Sequence, residues 1–215
     1  MKKINRVMRA GSVGAVISTL LLIMMAFITL PAGMSYPGLE ALTGSIVLSA
    51  GEKNAFLTGM QTLYILDGVF LMGWILAWVG LSELVRERSK TFGLLTLIFG
   101  LAGALFDLSE NSIIWGVLQS MQLGTLSGSA WVIPWKAVQH MSYWLPFSGA
   151  ILAGCGLWSK QRLDQVTAIA GTLLTAGAIA GLYLPSISLL SNLWFLIWFA
   201  CLACLLWRRS AETRS

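Results

Sequence analysis

Long apolar runs separated by short polar segments make up most of the chain. A helix needs about 20 mostly apolar residues to cross the roughly 30 Å hydrocarbon core of a bilayer. Six runs approach or reach that length, and they lack the alternation of barrel strands. They predict transmembrane helices over residues 12–32, 58–82, 92–118, 141–158, 166–184 and 187–207. We therefore expect an all-α fold, in which residues 1–215 form a single domain of six transmembrane helices.

The composition supports this interpretation. Hydrophobic residues make up 57% of the chain and charged residues 11%, against roughly 25% charged residues in an average soluble domain. The mean hydropathy is +0.78. The chain has too little charge to cover a soluble surface. Three cysteines are too few for a disulfide scaffold, and the absence of a Gly-X-Y period or a polar low-complexity tract excludes collagen and disorder.

The N-terminus resembles a secretory signal peptide, because Lys2, Lys3, Arg6 and Arg9 precede an apolar run. The run has roughly 20 residues, whereas the apolar region of a signal peptide has about 7–15. No small-residue cleavage site follows it cleanly. We therefore expect a retained first helix.

The basic residues predict the orientation of the helices. If the N-terminus is inside, the outer segments hold only Lys53 and Lys136 of the 14 Lys and Arg residues. An excess of Lys and Arg marks the cytoplasmic side. The inner ones are Lys2, Lys3, Arg6, Arg9, Arg86, Arg88, Lys90, Lys160, Arg162, Arg208, Arg209 and Arg214. We expect an inner (plasma) membrane protein with both termini in the cytoplasm. The net charge of +5 accompanies no nucleic-acid motif, so no nucleic-acid partner is expected.

Two outer loops are predicted to be long, over residues 33–57 and 119–140. The apolar patch from Ile46 to Leu48 is a candidate short helix on the membrane surface. Trp131 and Trp135 are candidate anchors at the level of the lipid headgroups, where an aromatic ring stays half hydrated. The inner loops are short, so the second and third helices should be antiparallel neighbours, as should the fourth and fifth.

Three carboxyl groups fall well inside the predicted spans, namely Asp67, Asp107 and Glu110. An ionisable residue in the bilayer centre costs roughly 2.5–3.5 kcal/mol on insertion scales. From a rise of about 1.5 Å per residue, Asp67 lies about 14 Å below the outer end of its helix, and Asp107 about 22 Å above the inner end of the next. Glu110 and Asn111 share a helical face with Asp107. All four residues are therefore expected at one level in the outer half of the membrane.

A polar pocket that opens outward is the functional hypothesis for this level. Its predicted lining is Asp67, Asp107, Glu110 and Asn111, joined by His140, the only histidine, from the outer end of the fourth helix. Ser142 lies near the same side. The structural alternative is that the third helix breaks near Phe106 and restarts at Ser109, with Asp67 bonded to the exposed amides as glue between helices.

The leading function is binding or movement of a small solute or a proton through these carboxyls, since carboxyls can load and release protons. An intramembrane enzyme acting on a lipid-like substrate, or an accessory subunit that packs beside a partner, remain alternatives, so enzymatic activity is left open. One histidine cannot provide bis-His haem ligation, and no lysine lies within a span to form a retinal Schiff base. We expect no cofactor and no metal.

The expected partners are the lipid bilayer and a small solute or lipid. The fifth helix is rich in small residues, and Gly177 and Gly181 form a Gly-x-x-x-Gly pattern that permits close helix approach. This pattern serves either packing inside the bundle or pairing of two copies of the chain.

The segments YILDGVF, with Asp67, and LFDLSENSIIWG, with Asp107, Glu110 and Asn111, carry one resemblance. They resemble uncharacterised bacterial polytopic membrane proteins that have an Asp in one span and Asp-x-x-Glu-Asn in the next. The likeness covers about a quarter of the chain and implies no activity. It points to the same four residues as the carboxyl argument.

Overall fold

The computed structural model of the chain describes residues 2–28, 50–123, 129–183 and 188–212. The secondary structure of these residues is helical. The helices, numbered along the chain, are α1 (Lys2–Ala26), α2 (Ala50–Arg86), α3 (Lys90–Leu123), α4 (Ser129–Leu157), α5 (Arg162–Tyr183) and α6 (Ser188–Glu212). The expectation of an all-α chain is therefore confirmed over the described residues.

Three segments are long and apolar enough to cross a membrane, judged by length and composition over the described residues. They are Ile4–Ala26 in α1, Asn54–Arg86 in α2 and Lys90–Ser120 in α3, each with a hydropathy of 1.8. Large apolar side chains point outward along them, including Leu20, Met72 and Leu105, which are 56%, 70% and 65% exposed. An outer surface of this kind is suited to contact with lipid.

The helices pack in a ring that follows the order of the chain. Each helix contacts the next one, and α6 returns to contact α1. The predicted neighbours, α2 with α3 and α4 with α5, are therefore in contact. Helix α2 also makes smaller contacts with α4 and α6, which places it towards the inside of the ring.

Glycines let α1 and α2 approach closely at two points. A Cβ atom on Gly11 would lie 2.8 Å from the Cα of Gly80, and one on Gly14 would lie 2.5 Å from the carbonyl oxygen of Gly73. Nearby, the hydroxyl of Ser18 donates to the carbonyl of Phe70 at 3.2 Å. Small residues allow the backbones of α1 and α2 to approach closely, and a hydroxyl group adds a hydrogen bond between the two helices.

Two apolar clusters divide the bundle along its length. In the first, Trp74 and Trp78 of α2 contact Trp198 and Phe199 of α6. The second contains Phe56, Met60, Leu63, Ile114, Leu118 and Trp135, from α2, α3 and α4. On α2 the second cluster ends at Leu63 and the first begins at Phe70. The residues between the two clusters form the candidate site described below.

Small residues on α5 are used inside the bundle. Helix α5 contacts α4 and α6, and a Cβ atom on Gly171 would lie 2.9 Å from the indole nitrogen of Trp198. Gly177 is half-buried, and the surroundings of Gly181 lie outside the described residues. The proposed pairing of two copies through these two glycines stays a prediction.

Several helices extend beyond the predicted spans. Helix α2 begins at Ala50, although residues up to 57 were expected in a loop, and α4 begins at Ser129 instead of 141. This stretch of the predicted loop contains Pro134, and the helix continues through the proline. The break near Phe106 that the structural alternative required is absent, because α3 runs unbroken from Lys90 to Leu123. The candidate surface helix from Ile46 to Leu48 and the side chain of Trp131 lie outside the described residues.

One end of the bundle is held by Asp164, in the first turn of α5. Its Oδ2 atom accepts hydrogen bonds from Arg88 Nη2 at 2.5 Å, Arg209 Nη2 at 2.9 Å and Ser159 Oγ at 2.6 Å. Arg88 also donates to the carbonyl of Leu157. This group, called the Asp164 cluster below, joins the α2–α3 turn, the α4–α5 turn and the end of α6. The end of the bundle that it occupies is called the basic end.

Candidate functional site

A layer of polar side chains lies between the two apolar clusters, where α2, α3 and α4 meet. We call it the carboxyl layer. It contains Asp67, Asp107, Glu110, Asn111, Trp135, Gln139 and Ser142. Counted along the helices at about 1.5 Å per residue, Asp67 is about 28 Å from Arg86, and Glu110 is about 30 Å from Lys90. The layer is therefore far from the basic end.

Asp67 and Asn111 join α2 to α3. The side-chain amide of Asn111 donates to Asp67 Oδ2 at 2.5 Å. The two residues are 7% and 2% exposed. A polar group that is removed from water needs such a partner, because an unsatisfied one costs free energy. The predicted contact between the second and third helices is therefore made by side chains of the candidate site.

Glu110 joins α3 to α4. Its Oε1 atom accepts hydrogen bonds from Trp135 Nε1 and Gln139 Nε2, both at 3.1 Å. Its Oε2 atom lies 3.2 Å from Ser142 Oγ. The three partners follow one face of α4, since they are four and then three residues apart. Glu110 is 5% exposed, so three neutral side chains take the place of water around it.

The hydroxyl of Ser142 has two acceptors within reach, Glu110 Oε2 at 3.2 Å and the carbonyl of Gln139 at 2.9 Å. A hydroxyl has one proton to donate and can also accept. When it donates to Glu110, it suits an ionised carboxylate. When it donates to the carbonyl of Gln139, its oxygen can accept a hydrogen bond from a neutral Glu110 carboxyl. A rotation of one hydroxyl therefore satisfies both protonation states of Glu110.

Asp107 differs from its two neighbours. It is half-buried, and its carboxyl is near enough to those of Asp67 and Glu110 for their charges to interact. Among the described residues, no hydrogen-bond donor to Asp107 is found. The phenol of Tyr143 interacts electrostatically with the same three carboxyls. By exposed surface, Asp107 is thus the least buried of the three carboxyls.

The structure brings Asp67, Asp107, Glu110 and Asn111 together, as their spacing predicted. His140 lies on α4 beside Gln139 and is half-buried. Over the described part of the chain, it makes no hydrogen bond to the carboxyls. The sequence therefore assigned it to the right helix, and its predicted place in the lining stays a prediction.

Two members of the layer were not assigned to it from the sequence. Trp135 was expected at the lipid headgroups, but it is 4% exposed and donates to Glu110. Gln139 was placed in a loop. The available signal was the spacing of Trp135, Gln139 and Ser142, which repeats like one face of a helix. This spacing was not recognised as helical, because residues 119–140 were expected to form a loop.

The geometry of the layer does not suit a metal ion. Within the described ranges, no group of three or more His, Cys, Asp or Glu side chains is arranged to hold one. Two cavities of about 340 and 240 Å³ lie elsewhere, one between α4 and α5 around Cys155 and one between α2 and α3 at Arg86. Direct hydrogen bonds close the carboxyl layer around Glu110 in this conformation.

Comparison of the chain with protein-family models, with curated proteins and with solved structures found no match. Its function must therefore be inferred from its own residues.

Proposed function

We propose that this chain is a multi-pass protein of the bacterial inner membrane that binds or moves a proton, or a small solute together with it, through the carboxyl layer. All six helices cross the membrane, with both termini in the cytoplasm and the carboxyl layer in the outer half. The observation that carries the proposal is the environment of Glu110. Its neighbours can satisfy it with or without a proton.

The position of the basic residues supports this orientation. Arg88, Asp164 and Arg209 meet at one end, and at the same end the guanidinium of Arg9 lies 5.3 Å from the centre of the Trp207 ring. Lys and Arg accumulate on the cytoplasmic side of a membrane. The carboxyl layer is about 28–30 Å away by helical rise, close to the thickness of a bilayer core.

The composition of the layer supports a proton as the species bound. Asp67, Asp107 and Glu110 lie in one layer, and the donors to Glu110 are neutral. Carboxyls inside a membrane typically belong to proton relays or ion pathways. Proton transfer needs donors and acceptors within hydrogen-bond reach, a condition that Glu110 and Ser142 meet. In this proposal, the proton is exchanged with water through the half-buried Asp107.

Proton movement can be measured in proteoliposomes that contain a trapped pH-sensitive dye. After an acid step outside, wild-type vesicles should acidify faster than empty vesicles. We expect E110Q and D107N to slow this step at least tenfold, because an amide cannot take up the proton. The matched control is E83Q, which makes the same exchange at a carboxyl that pairs with Arg86 at the basic end. E83Q should retain the wild-type rate.

A second measurement tests proton binding without transport. Infrared difference spectra between acidic and alkaline pH should contain a carboxylic C=O band that disappears in E110Q and persists in E83Q. If wild-type vesicles acidify no faster than empty ones and the band is also missing, the proposal is refuted. For the orientation, a reporter fused at Lys53 that is active in the cytoplasm would contradict the topology.

An accessory subunit is the second candidate, and one observation favours it. Asp67 and Glu110 are each hydrogen-bonded to a neighbouring helix, as expected of polar residues that only hold helices together. In that case, E110Q would lower the thermal stability of the purified protein and would leave both proton measurements unchanged. The two functions therefore predict different results from the same variant.

A further inference from the structure

A cavity of about 240 Å³ lies between α2 and α3 at the basic end, away from the carboxyl layer. It is lined by Ser82, Arg86, Lys90, Gly93, Leu94 and Leu97. The lining combines a hydroxyl and two cationic side chains with a glycine and two leucines.

Local structure places the two cations at one level. Arg86 is the last residue of α2 and Lys90 is the first of α3. Between them, the hydroxyl of Ser89 accepts a hydrogen bond from the backbone N–H of Phe92 at 3.4 Å and so caps α3. A Cβ atom on Gly93 would lie 2.6 Å from the Cβ of Arg86, so a glycine here keeps the turn tight.

Two cationic side chains line the cavity at this turn, whereas the acidic residues of the same stretch, Glu83 and Glu87, do not line it. The side chain of Arg86 is 57% exposed although it pairs with Glu83 at 2.8 Å, and Lys90 is exposed. The amino-terminal end of a helix adds a partial positive charge, here from α3. Arginine and the end of a helix are both common partners of phosphate.

The apolar part of the lining continues along the surface of α3. Leu94 is 56% exposed and Ile98, one turn further on, is 51% exposed. An ion in water would gain nothing from this strip, whereas an acyl chain would cover it. A cationic turn at the end of an exposed apolar strip has the chemistry of a phospholipid, with an anionic head and an apolar tail.

We infer that this cavity binds the phosphate headgroup of an anionic phospholipid in the cytoplasmic leaflet, with an acyl chain along Leu94 and Ile98. The inference rests on the proposed membrane placement of the basic end and is independent of the carboxyl layer. It assigns Arg86 and Lys90 a role beyond setting the orientation of the chain.

The test uses the purified full-length protein in a neutral detergent and measures lipid binding by native mass spectrometry. The probes are phosphatidylglycerol and phosphatidylcholine with identical acyl chains. Wild type should prefer phosphatidylglycerol. R86Q/K90Q should weaken its binding about 25-fold, since each cation near an anionic lipid contributes about fivefold in affinity.

Three further variants distinguish a specific site from a general electrostatic attraction between lipid and protein. K160Q/R162Q removes two exposed cations at the same end that do not line the cavity, and it should keep affinity within about twofold of wild type. L94W leaves the charge unchanged and fills the mouth of the cavity, so it should weaken binding. R86K/K90R keeps both charges and should retain the preference for the anionic lipid.

The inference is overturned if both glutamine pairs weaken binding equally, because the lipid then responds to overall charge. It is also overturned if L94W binds like wild type, or if inorganic phosphate displaces the lipid. Since binding is measured in detergent, a failure here leaves the proton measurements on Glu110 unaffected. Conversely, a failure of proton movement leaves this lipid site intact.

Discussion

The replacement D164N is expected to destabilise the bundle strongly at neutral pH. The side chain of Asp164 is 0% exposed, and those of its partners Arg88 and Arg209 are 30% and 18% exposed. The substitution keeps the shape but removes the carboxylate from both guanidinium groups. Breaking a buried ion pair by removing one partner costs about 3–5 kcal/mol. Because both arginines keep some contact with water, we expect the lower end, about 3 kcal/mol.

The effect should depend on pH in a defined direction. Burial by itself would raise the pKa of Asp164, but the hydrogen bonds from Ser159 and Arg88 and the charges of Arg209 and Arg88 outweigh it and hold the pKa below its usual range. A lowered pKa contributes stability that is present above the unfolded pKa, about 3.9, and is lost as the pH falls through the folded pKa. Asparagine does not titrate. The stability difference between wild type and D164N should therefore be constant above about pH 5 and shrink below about pH 4.

Thermal unfolding of the purified protein in detergent measures this difference. For a chain of this length, about 3 kcal/mol corresponds to a Tm lower by about 6–12 °C. The matched control is E212Q, since Glu212 also pairs with Arg209 but is 40% exposed, and an exposed pair contributes at most about 1 kcal/mol. A Tm difference for D164N that is equal to that of E212Q, or that persists unchanged at pH 3, would refute this reasoning.

Three further predictions concern packing and the carboxyl layer. G14A should lower the free energy of unfolding by about 1–3 kcal/mol, because its Cβ would lie 2.5 Å from the carbonyl oxygen of Gly73. The control G68A should be neutral or slightly stabilising, because a Cβ there would meet nothing within 4 Å. Equal losses of stability in thermal unfolding would contradict the close approach of α1 and α2. W135F keeps an aromatic ring but removes the hydrogen-bond donor to Glu110, so it should lower the free energy of unfolding by about 1–3 kcal/mol. Denaturant titration should find a smaller decrease when the same substitution is made in E110A. A double-mutant cycle of D67A and N111A should give a coupling of about 0.6–1.7 kcal/mol, and strictly additive losses in the same titration would exclude a contribution from their hydrogen bond.

The sequence predicted the helices well where hydropathy decides them. The long apolar runs of α1, α2 and α3 exceed what a soluble surface could contain, so their existence follows from composition alone. The helical spacing of Asp107, Glu110 and Asn111 fixed a shared face, because a helix repeats every 3.6 residues. Their meeting with Asp67 followed from the short connection between neighbouring helices.

The sequence could not decide what the polar residues of α4 contact. Gln139 and Trp135 look like loop residues or headgroup anchors when they are considered alone. Their partner, Glu110, is 29 and 25 residues away on another helix. A polar side chain is tolerated in a buried helix when a partner satisfies it, and that partner is supplied only by packing of the two helices.

The contacts of the Asp164 cluster also could not be predicted from the sequence. From the sequence, Arg88 and Arg209 marked only the side of the membrane on which their segments lie. In the folded bundle they converge on one buried carboxylate from the α2–α3 turn and from the end of α6. Local pattern thus determined the helices and the level of the carboxyls. The hydrogen-bond partners were decided by tertiary structure, because they join residues far apart in the chain.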